Sequence, residues 1–129
     1  MIIEHIGLAV SAVQSMAGWY GQHLGLGVRF RGGNDQDGVA FISAPGQDVM
    51  LELSTRPGLA VPDWPGLPPL TLHFAFKSED PYADAERLEA AGATFVERNT
   101  RVPTQGDILI LMRDPWGNVI QLVKRAKEL

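Results

Sequence analysis

The 129-residue sequence contains no cysteine. This absence excludes disulfides, thiolate nucleophiles, zinc ribbons and iron–sulfur clusters. Long apolar runs are also missing, since no stretch approaches the roughly 18 apolar residues of a membrane-spanning helix. The first segment, MIIEHIGLAV, has no basic region and carries Glu4 and His5 within its apolar run, unlike a secretory signal. We therefore expect a single cytoplasmic domain that does not associate with a membrane.

Positive charge is scarce as well. The chain has 11 Lys and Arg residues against 15 Asp and Glu residues, which gives a net charge of −4. Residues 1–64 hold 3 basic and 6 acidic side chains, and residues 65–129 hold 8 and 9. Neither half has the basic excess that binding to a phosphate backbone requires. The charge distribution therefore argues against nucleic acid as a partner.

The hydrophobic pattern predicts one order of elements twice: a strand, a helix and three strands. The first half has a strand over 1–10, a helix from Ser11 to Gly25, and strands over 28–30, 39–43 and 49–54. The second half has a strand over 71–77, a helix from Asp80-Pro81 to Gly92, and strands over 93–97, 107–113 and 118–124. Ser11 and Gln14 have the spacing of a capping box. The predicted fold class is α+β, with two βαβββ modules.

A connecting loop over residues 55–70 separates module 1 (1–54) from module 2 (71–129) within one domain. Its five prolines predict that it lacks regular structure. Sixteen residues span at most about 53 Å, so the modules could pair within one chain or across the homodimer that we expect. A helix on one face of each sheet would leave a curved sheet around a concave site.

The first and last strands of each module carry one side chain able to bind a metal. They are His5 and Glu52 in module 1, and His73 and Gln121 in module 2. Each lies on the face of its strand away from the large aliphatic residues. Strand alternation therefore predicts that all four face the concave site. This donor set suits Zn, Ni, Co, Mn or Fe(II). A single strand histidine is more often a structural residue, but four positions related by the repeat favour a metal site.

Several of these features resemble the vicinal oxygen chelate superfamily, which includes glyoxalase I, fosfomycin-resistance proteins, extradiol dioxygenases, methylmalonyl-CoA epimerase and bleomycin-resistance proteins. They are the paired modules, His5, WYGQHLGLGVRF, VMLELS, LHFAFK and DPWGNVIQLV. The resemblance covers nearly the whole chain and implies that His5, Glu52, His73 and Gln121 are metal ligands. In glyoxalase I the last position is Glu, thought to be the catalytic base. Because the amide of Gln121 cannot take up a proton at neutral pH, we expect Glu52 to be the catalytic residue.

The resemblance leaves three functions open. The first is a metal-dependent lyase or isomerase that stabilises an enediolate of a small carbonyl or hydroxycarbonyl substrate while Glu52 moves the adjacent proton. The second is a metal-free protein that sequesters a drug or metabolite, like the bleomycin-resistance branch. The third is an Fe(II) ring-cleaving dioxygenase. Gln121 counts against the third, although His5, His73 and Glu52 would form an adequate facial triad.

Substrate contacts are expected from aromatic and cationic side chains outside the core. The candidates are Arg56, Trp64, Arg101 and Trp116. The two tryptophans lie among loop-breaking residues, and the two arginines could bind an anion. Phe30 and Phe41 are expected in the core. Ala9 stands where glyoxalase I carries an Arg for the glutathione carboxylate, so glutathione is not expected as part of the substrate.

Overall fold

The computed structural model describes residues 1–98 and 104–129, which leaves the candidate Arg101 outside the described residues. The chain divides into two compact units, Met1–Pro62 and Asp63–Leu129, with the division inside the predicted connecting loop. The first unit contains β1 (His5–Ala9), α1 (Val13–Leu24), β2 (Gly27–Gly33), β3 (Gly38–Ser43) and β4 (Met50–Thr55). The second unit contains a short 3₁₀ helix (Trp64–Gly66), β5 (His73–Lys77), α2 (Pro81–Ala90), β6 (Thr94–Arg98), β7 (Ile108–Arg113) and β8 (Val119–Lys124).

Each unit has one four-stranded sheet, and the two sheets have the same topology. The strand orders are β1-β4-β3-β2 and β5-β8-β7-β6. In both sheets the first and last strands of the unit run parallel, and the other neighbours are antiparallel. The predicted α+β class and its repeated βαβββ order are therefore confirmed.

The core of the first unit lies between α1 and one face of its sheet. Alternate strand residues and one stripe of the helix are buried there. The sheet contributes Leu8, Val10, Ala40, Ile42 and Leu53, and the helix contributes Val13, Met16, Ala17 and Tyr20. Burial of each larger aliphatic side chain stabilises the fold by about 1.5–3 kcal/mol. The opposite face of the sheet carries Phe41 and Glu52, which are only half-buried.

The start of α1 differs from the prediction. Ala12 precedes the helix and makes no side-chain cap, so the capping box of Ser11 and Gln14 is wrong. Asp35, in the turn between β2 and β3, accepts hydrogen bonds from the backbone N–H and the hydroxyl of Ser15, at 2.8 and 2.6 Å. A cap from another segment leaves no local pattern in the sequence. The predicted helix end is confirmed, because Gly25 has the left-handed conformation with φ of 72°.

Replacing Asp35 with alanine should lower the free energy of unfolding by about 1 kcal/mol, the usual cost of a lost N-terminal cap. Asp37→Ala is the matched control, because it removes the same charge from the same exposed turn. We expect the control to change stability by less than about 0.5 kcal/mol. Urea denaturation of both variants measures the difference, and equal losses would show that Asp35 does not act as a cap.

The second unit buries α2 against its sheet in the same way. The helix contributes Pro81, Ala85 and Leu88, and the sheet contributes Ile110, Met112, Ile120 and Leu122. The predicted start of α2 is confirmed, because the Asp80 carboxylate accepts a hydrogen bond from the Ala83 N–H at 3.1 Å. Gly92 follows the helix with φ of 104°, as predicted for its end.

Asp107, just before β7, fixes the segment that follows β8. Its carboxylate accepts hydrogen bonds from the Ala126 N–H at 2.9 Å and from the Arg125 guanidinium at 2.7 Å. The hydrogen bond from the Ala126 N–H and, to a smaller extent, the one from Arg125 hold the pKa of Asp107 below its ordinary value. At pH values above the pKa that Asp107 has in the unfolded chain, the charged carboxylate therefore stabilises the folded state. This stabilisation is lost as the pH falls through the lower folded pKa.

Asp107→Asn should destabilise the protein at pH 7, and the difference from the unchanged protein should shrink as the pH falls below about 4, the pKa of an unfolded Asp. Asp48→Asn, at an exposed position before β4, is the control that removes the same charge. Urea denaturation at pH 7 and pH 3 measures both variants. A stability difference for Asp107→Asn that is the same at both pH values would contradict the assignment.

Other differences concern the ends of elements and one loop. β1 begins at His5, so Ile2 and Ile3, which the predicted strand over 1–10 included, lie outside the observed strand. The 3₁₀ helix at Trp64–Gly66 corrects the expectation that residues 55–70 lack regular structure, because Pro65 has the backbone angle that the first turn of a helix needs. Within the part of the chain that the structure describes, no helix is long and apolar enough to cross a membrane.

Candidate functional site

His5 and Glu52 meet on the face of the first sheet opposite α1. His5 begins β1, and Glu52 lies in β4 opposite Gly7, two residues further along the parallel pair. Nε2 of His5 is 3.0 Å from a carboxylate oxygen of Glu52. The side chains are 37% and 26% exposed, so a ligand can reach both. The predicted placement of these two residues on one face is confirmed.

Glu4 contacts the other nitrogen of the same imidazole, since its carboxylate is hydrogen-bonded to Nδ1 of His5. This hydrogen bond is the main reason that the pKa of His5 is raised above its ordinary value, and the charges of Glu4 and Glu52 add to the effect. The three side chains form a row of carboxylate, imidazole and carboxylate. A metal-ligating imidazole is neutral, so a divalent ion would compete with a proton for His5.

The His5–Glu52 pair fits two positions of a divalent metal site. Nitrogen and oxygen donors bound to one ion at about 2.1 Å lie about 3.0–3.4 Å apart in octahedral or tetrahedral geometry. The observed 3.0 Å is within this range. Across residues 1–98 and 104–129, however, no group of three or more His, Asp or Glu side chains is arranged to hold an ion. The pair therefore supplies part of a ligand set.

His73 and Gln121 occupy the corresponding positions of the second unit. His73 begins β5, and Gln121 lies in β8 opposite Ala75, again two residues further along a parallel pair. Both residues are half-buried. The repeat therefore places one imidazole and one oxygen donor at matching positions in each unit. Binding of one ion by all four residues stays a prediction.

Two aromatic rings continue the face that carries His5 and Glu52. Phe41 lies opposite Glu52 in the register of β3 and β4, and its ring meets the His5 ring edge-on at 5.3 Å. Phe30 of β2 lies opposite Phe41, with ring centroids 6.4 Å apart. Phe30 is 59% exposed, so its expected place in the core is wrong. The reason is that α1 packs on the other face of the sheet.

Arg29, which is not among the residues predicted from the sequence, directly precedes Phe30 in β2. The register of β2 and β3 shifts between Val28 and Phe30, which makes Arg29 the extra residue of a β-bulge. Its guanidinium donates a hydrogen bond to the hydroxyl of Ser43 at 3.3 Å. No pattern in the sequence marks the bulge, so the position of Arg29 could not be read from strand alternation.

Arg113 fixes the segments that carry the two candidate tryptophans, Trp64 and Trp116. Its guanidinium donates hydrogen bonds to the carbonyl oxygens of Trp64, Leu67 and Gly117, at 2.9, 2.7 and 2.8 Å. Both tryptophans are half-buried. The structure therefore ties these two segments of the second unit together, and a substrate contact for either indole stays a prediction.

Arg56 lies in the exposed turn after β4, where its carbonyl accepts a hydrogen bond from the Leu59 N–H at 3.1 Å. Its guanidinium has no carboxylate partner among the residues that the structure describes. A role for Arg56 in anion binding stays a prediction, and Arg101 lies outside the described residues.

Comparison with known proteins identifies the family. The sequence model of the Glyoxalase/Bleomycin resistance protein/Dioxygenase superfamily matches residues 2–122. The chain belongs to this superfamily. The resemblance stated from the sequence is therefore confirmed. No curated protein matches the chain significantly.

Solved structures of superfamily proteins share the fold. A glyoxalase family protein from Bacillus cereus has a TM-score of 0.77 and 20% identity, over 95% of this chain and 93% of that chain. TnmS3, an antibiotic binding protein from Streptomyces sp. CB03234, has a TM-score of 0.67 and 21% identity over the same shares. A glyoxalase family protein from Enterococcus faecalis has a TM-score of 0.70 and 22% identity, over 95% and 97%.

Proposed function

We propose that this superfamily member is a metal-dependent lyase or isomerase that acts on a small carbonyl or hydroxycarbonyl compound. The observation that carries the proposal is the contact between His5 and Glu52 on an accessible face, at 3.0 Å. His73 and Gln121 support it, because they have the same register in the second unit. A repeated pair of an imidazole and an oxygen donor suits metal binding better than a purely structural role.

His5, Glu52, His73 and Gln121 would hold the ion. When bound, a divalent ion supplies a Lewis acid that polarises the substrate oxygen and stabilises the negative charge developing on it. Glu52 is the single carboxylate of the four residues, so it is the group that can take up a proton from the carbon next to the carbonyl. Returning that proton to the neighbouring carbon, while the proton of the substrate hydroxyl moves to the former carbonyl oxygen, completes the isomerisation of a hydroxycarbonyl compound. The amide of Gln121 can bind through its oxygen but cannot exchange a proton in this way.

Exchange of carbon-bound protons with solvent tests the reaction class before the natural substrate is identified. Metal-loaded protein is incubated in D₂O with hydroxyacetone, dihydroxyacetone and glyceraldehyde, and proton NMR follows the loss of the C–H signal next to the carbonyl. We expect exchange to accelerate only when the ion is present. No acceleration for any of the three compounds, or equal rates with and without the ion, would contradict the proposal.

A second candidate function is metal-free binding of an apolar drug or metabolite. The exposed aromatic pair of Phe30 and Phe41 favours it, because exposed rings offer a surface for stacking. The structural similarity to TnmS3, an antibiotic binding protein, is consistent with this function. Metal content distinguishes the two candidates. A binding protein would hold its ligand equally well after removal of divalent ions, whereas the enzyme would lose its proton exchange.

A further inference from the structure

We propose that the first unit binds a carboxylate through Arg29, with Phe30 and Phe41 contacting the apolar part of the same ligand. This inference deepens the proposed function and rests on it for one point, namely that the ligand is the substrate. It names the substrate class as a carbonyl compound that also carries a carboxylate. We call the group of Arg29, Phe30, Phe41 and Ser43 the anion subsite.

Arg29 lies at a β-bulge, and its hydrogen bond to Ser43 indicates which face of the sheet it occupies. A bulge changes the direction of the extra residue and is common beside functional sites. The hydroxyl that accepts the Arg29 hydrogen bond belongs to Ser43, which is two residues from Phe41 on β3 and therefore on the same face. Ser43 is 5% exposed, so it provides a fixed anchor for the guanidinium. Arg29 is thus held over the face that carries Phe41.

The guanidinium of Arg29 retains capacity for an anion. It has five N–H donors, and its described hydrogen bond goes to the neutral hydroxyl of Ser43. No carboxylate of residues 1–98 and 104–129 forms an ion pair with it. Three other cations of the described residues form ion pairs, namely Lys77 with Glu128, Arg87 with Asp84 and Arg125 with Asp107, whereas Arg29, like Arg56, forms none. An exposed guanidinium without a carboxylate can bind a ligand carboxylate through two parallel hydrogen bonds.

The sheet sets the distance between the anion subsite and the His5–Glu52 pair. Met50 lies opposite His5, and Ile42 lies opposite Leu51, which brings Ser43 into line with Met50 and His5. Because β4 separates β1 from β3, Ser43 and His5 are about 10 Å apart, twice the spacing of neighbouring strands. The ring of Phe41, two residues from Ser43 on the same face, is in edge contact with His5. A compound with a carboxylate at one end and a carbonyl at the other could span this distance.

Binding of 3-phenylpropionate and of 3-phenylpropionamide tests the subsite. These probes share an aromatic ring and differ in the charge of the carboxylate. Protein stripped of metal with a chelating resin is titrated with each probe, and NMR shifts give the dissociation constants. We expect the carboxylate to bind about tenfold more tightly than the amide. The reason is that hydrogen bonds between the Arg29 guanidinium and a carboxylate join two opposite charges and are stronger than those to a neutral amide. Arg29→Gln should remove this preference and leave the affinity for the amide unchanged, which also shows that the variant is folded.

Arg31→Gln is the matched control. Arg31 lies opposite Ala40, whose side chain is buried under α1, so Arg31 is on the other face of the same strand. The control should keep the preference for the carboxylate. The proposal is overturned if the unchanged protein binds both probes equally or binds neither at millimolar concentration, or if both variants lose the preference equally. Because no metal is present, a failure here is distinct from a failure of the proposed enzyme.

Discussion

Replacing Glu52 with glutamine is expected to slow proton exchange by a factor of about 10² to 10⁴, the usual cost of losing a positioned general base. Glutamine keeps the length of the side chain and an oxygen donor, so affinity for the divalent ion should change much less. The measurement compares exchange rates at equal metal occupancy. An unchanged rate would eliminate Glu52 as the base.

Two further variants make the Glu52 result specific. Asp48→Asn removes one negative charge at an exposed position and should leave the exchange rate unchanged. Gln121→Glu adds a carboxylate at the matching position of the second unit. Combined with Glu52→Gln, it would move the carboxylate from one unit to the other. Partial recovery of exchange in this double variant is expected if the two positions are functionally equivalent.

Replacing His5 or His73 with alanine is expected to weaken binding of a divalent ion at least about tenfold, since each change removes a proposed ligand. The chain has three histidines, which makes His23 the matched control. His23 lies in the last turn of α1, where its ring is 5.1 Å from that of Trp19. His23→Ala should therefore keep the affinity of the unchanged protein. Equal losses for all three variants would indicate nonspecific binding to imidazole.

Strand alternation explains why His5 and Glu52 could be predicted to share a face. Each side chain points to the face of its strand away from the large aliphatic residues. The parallel register of β1 and β4 then brings the two side chains into contact. The repeated order of elements was likewise visible in the periodicity of the two halves. These features depend on patterns within short segments, which a single sequence displays.

Features that depend on distant segments could not be predicted in the same way. Asp35 caps α1 from a turn 20 residues further along the chain. Arg29 takes its direction from a bulge, which shifts the register without a marker in the sequence. Phe30 has an apolar side chain typical of a core residue but lies on the face that α1 does not cover. In each case the tertiary structure, and not local propensity, decides the environment of the side chain.

The metal content of the protein shows directly whether His5, Glu52, His73 and Gln121 bind an ion. The protein is purified without an affinity tag or chelator, equilibrated with a divalent ion, and analysed by elemental analysis and calorimetric titration. We expect one ion per chain, with much weaker binding in both His5→Ala and His73→Ala and unchanged binding in His23→Ala. Failure to bind any divalent ion, or binding that survives loss of both His5 and His73, would contradict the proposed metal site.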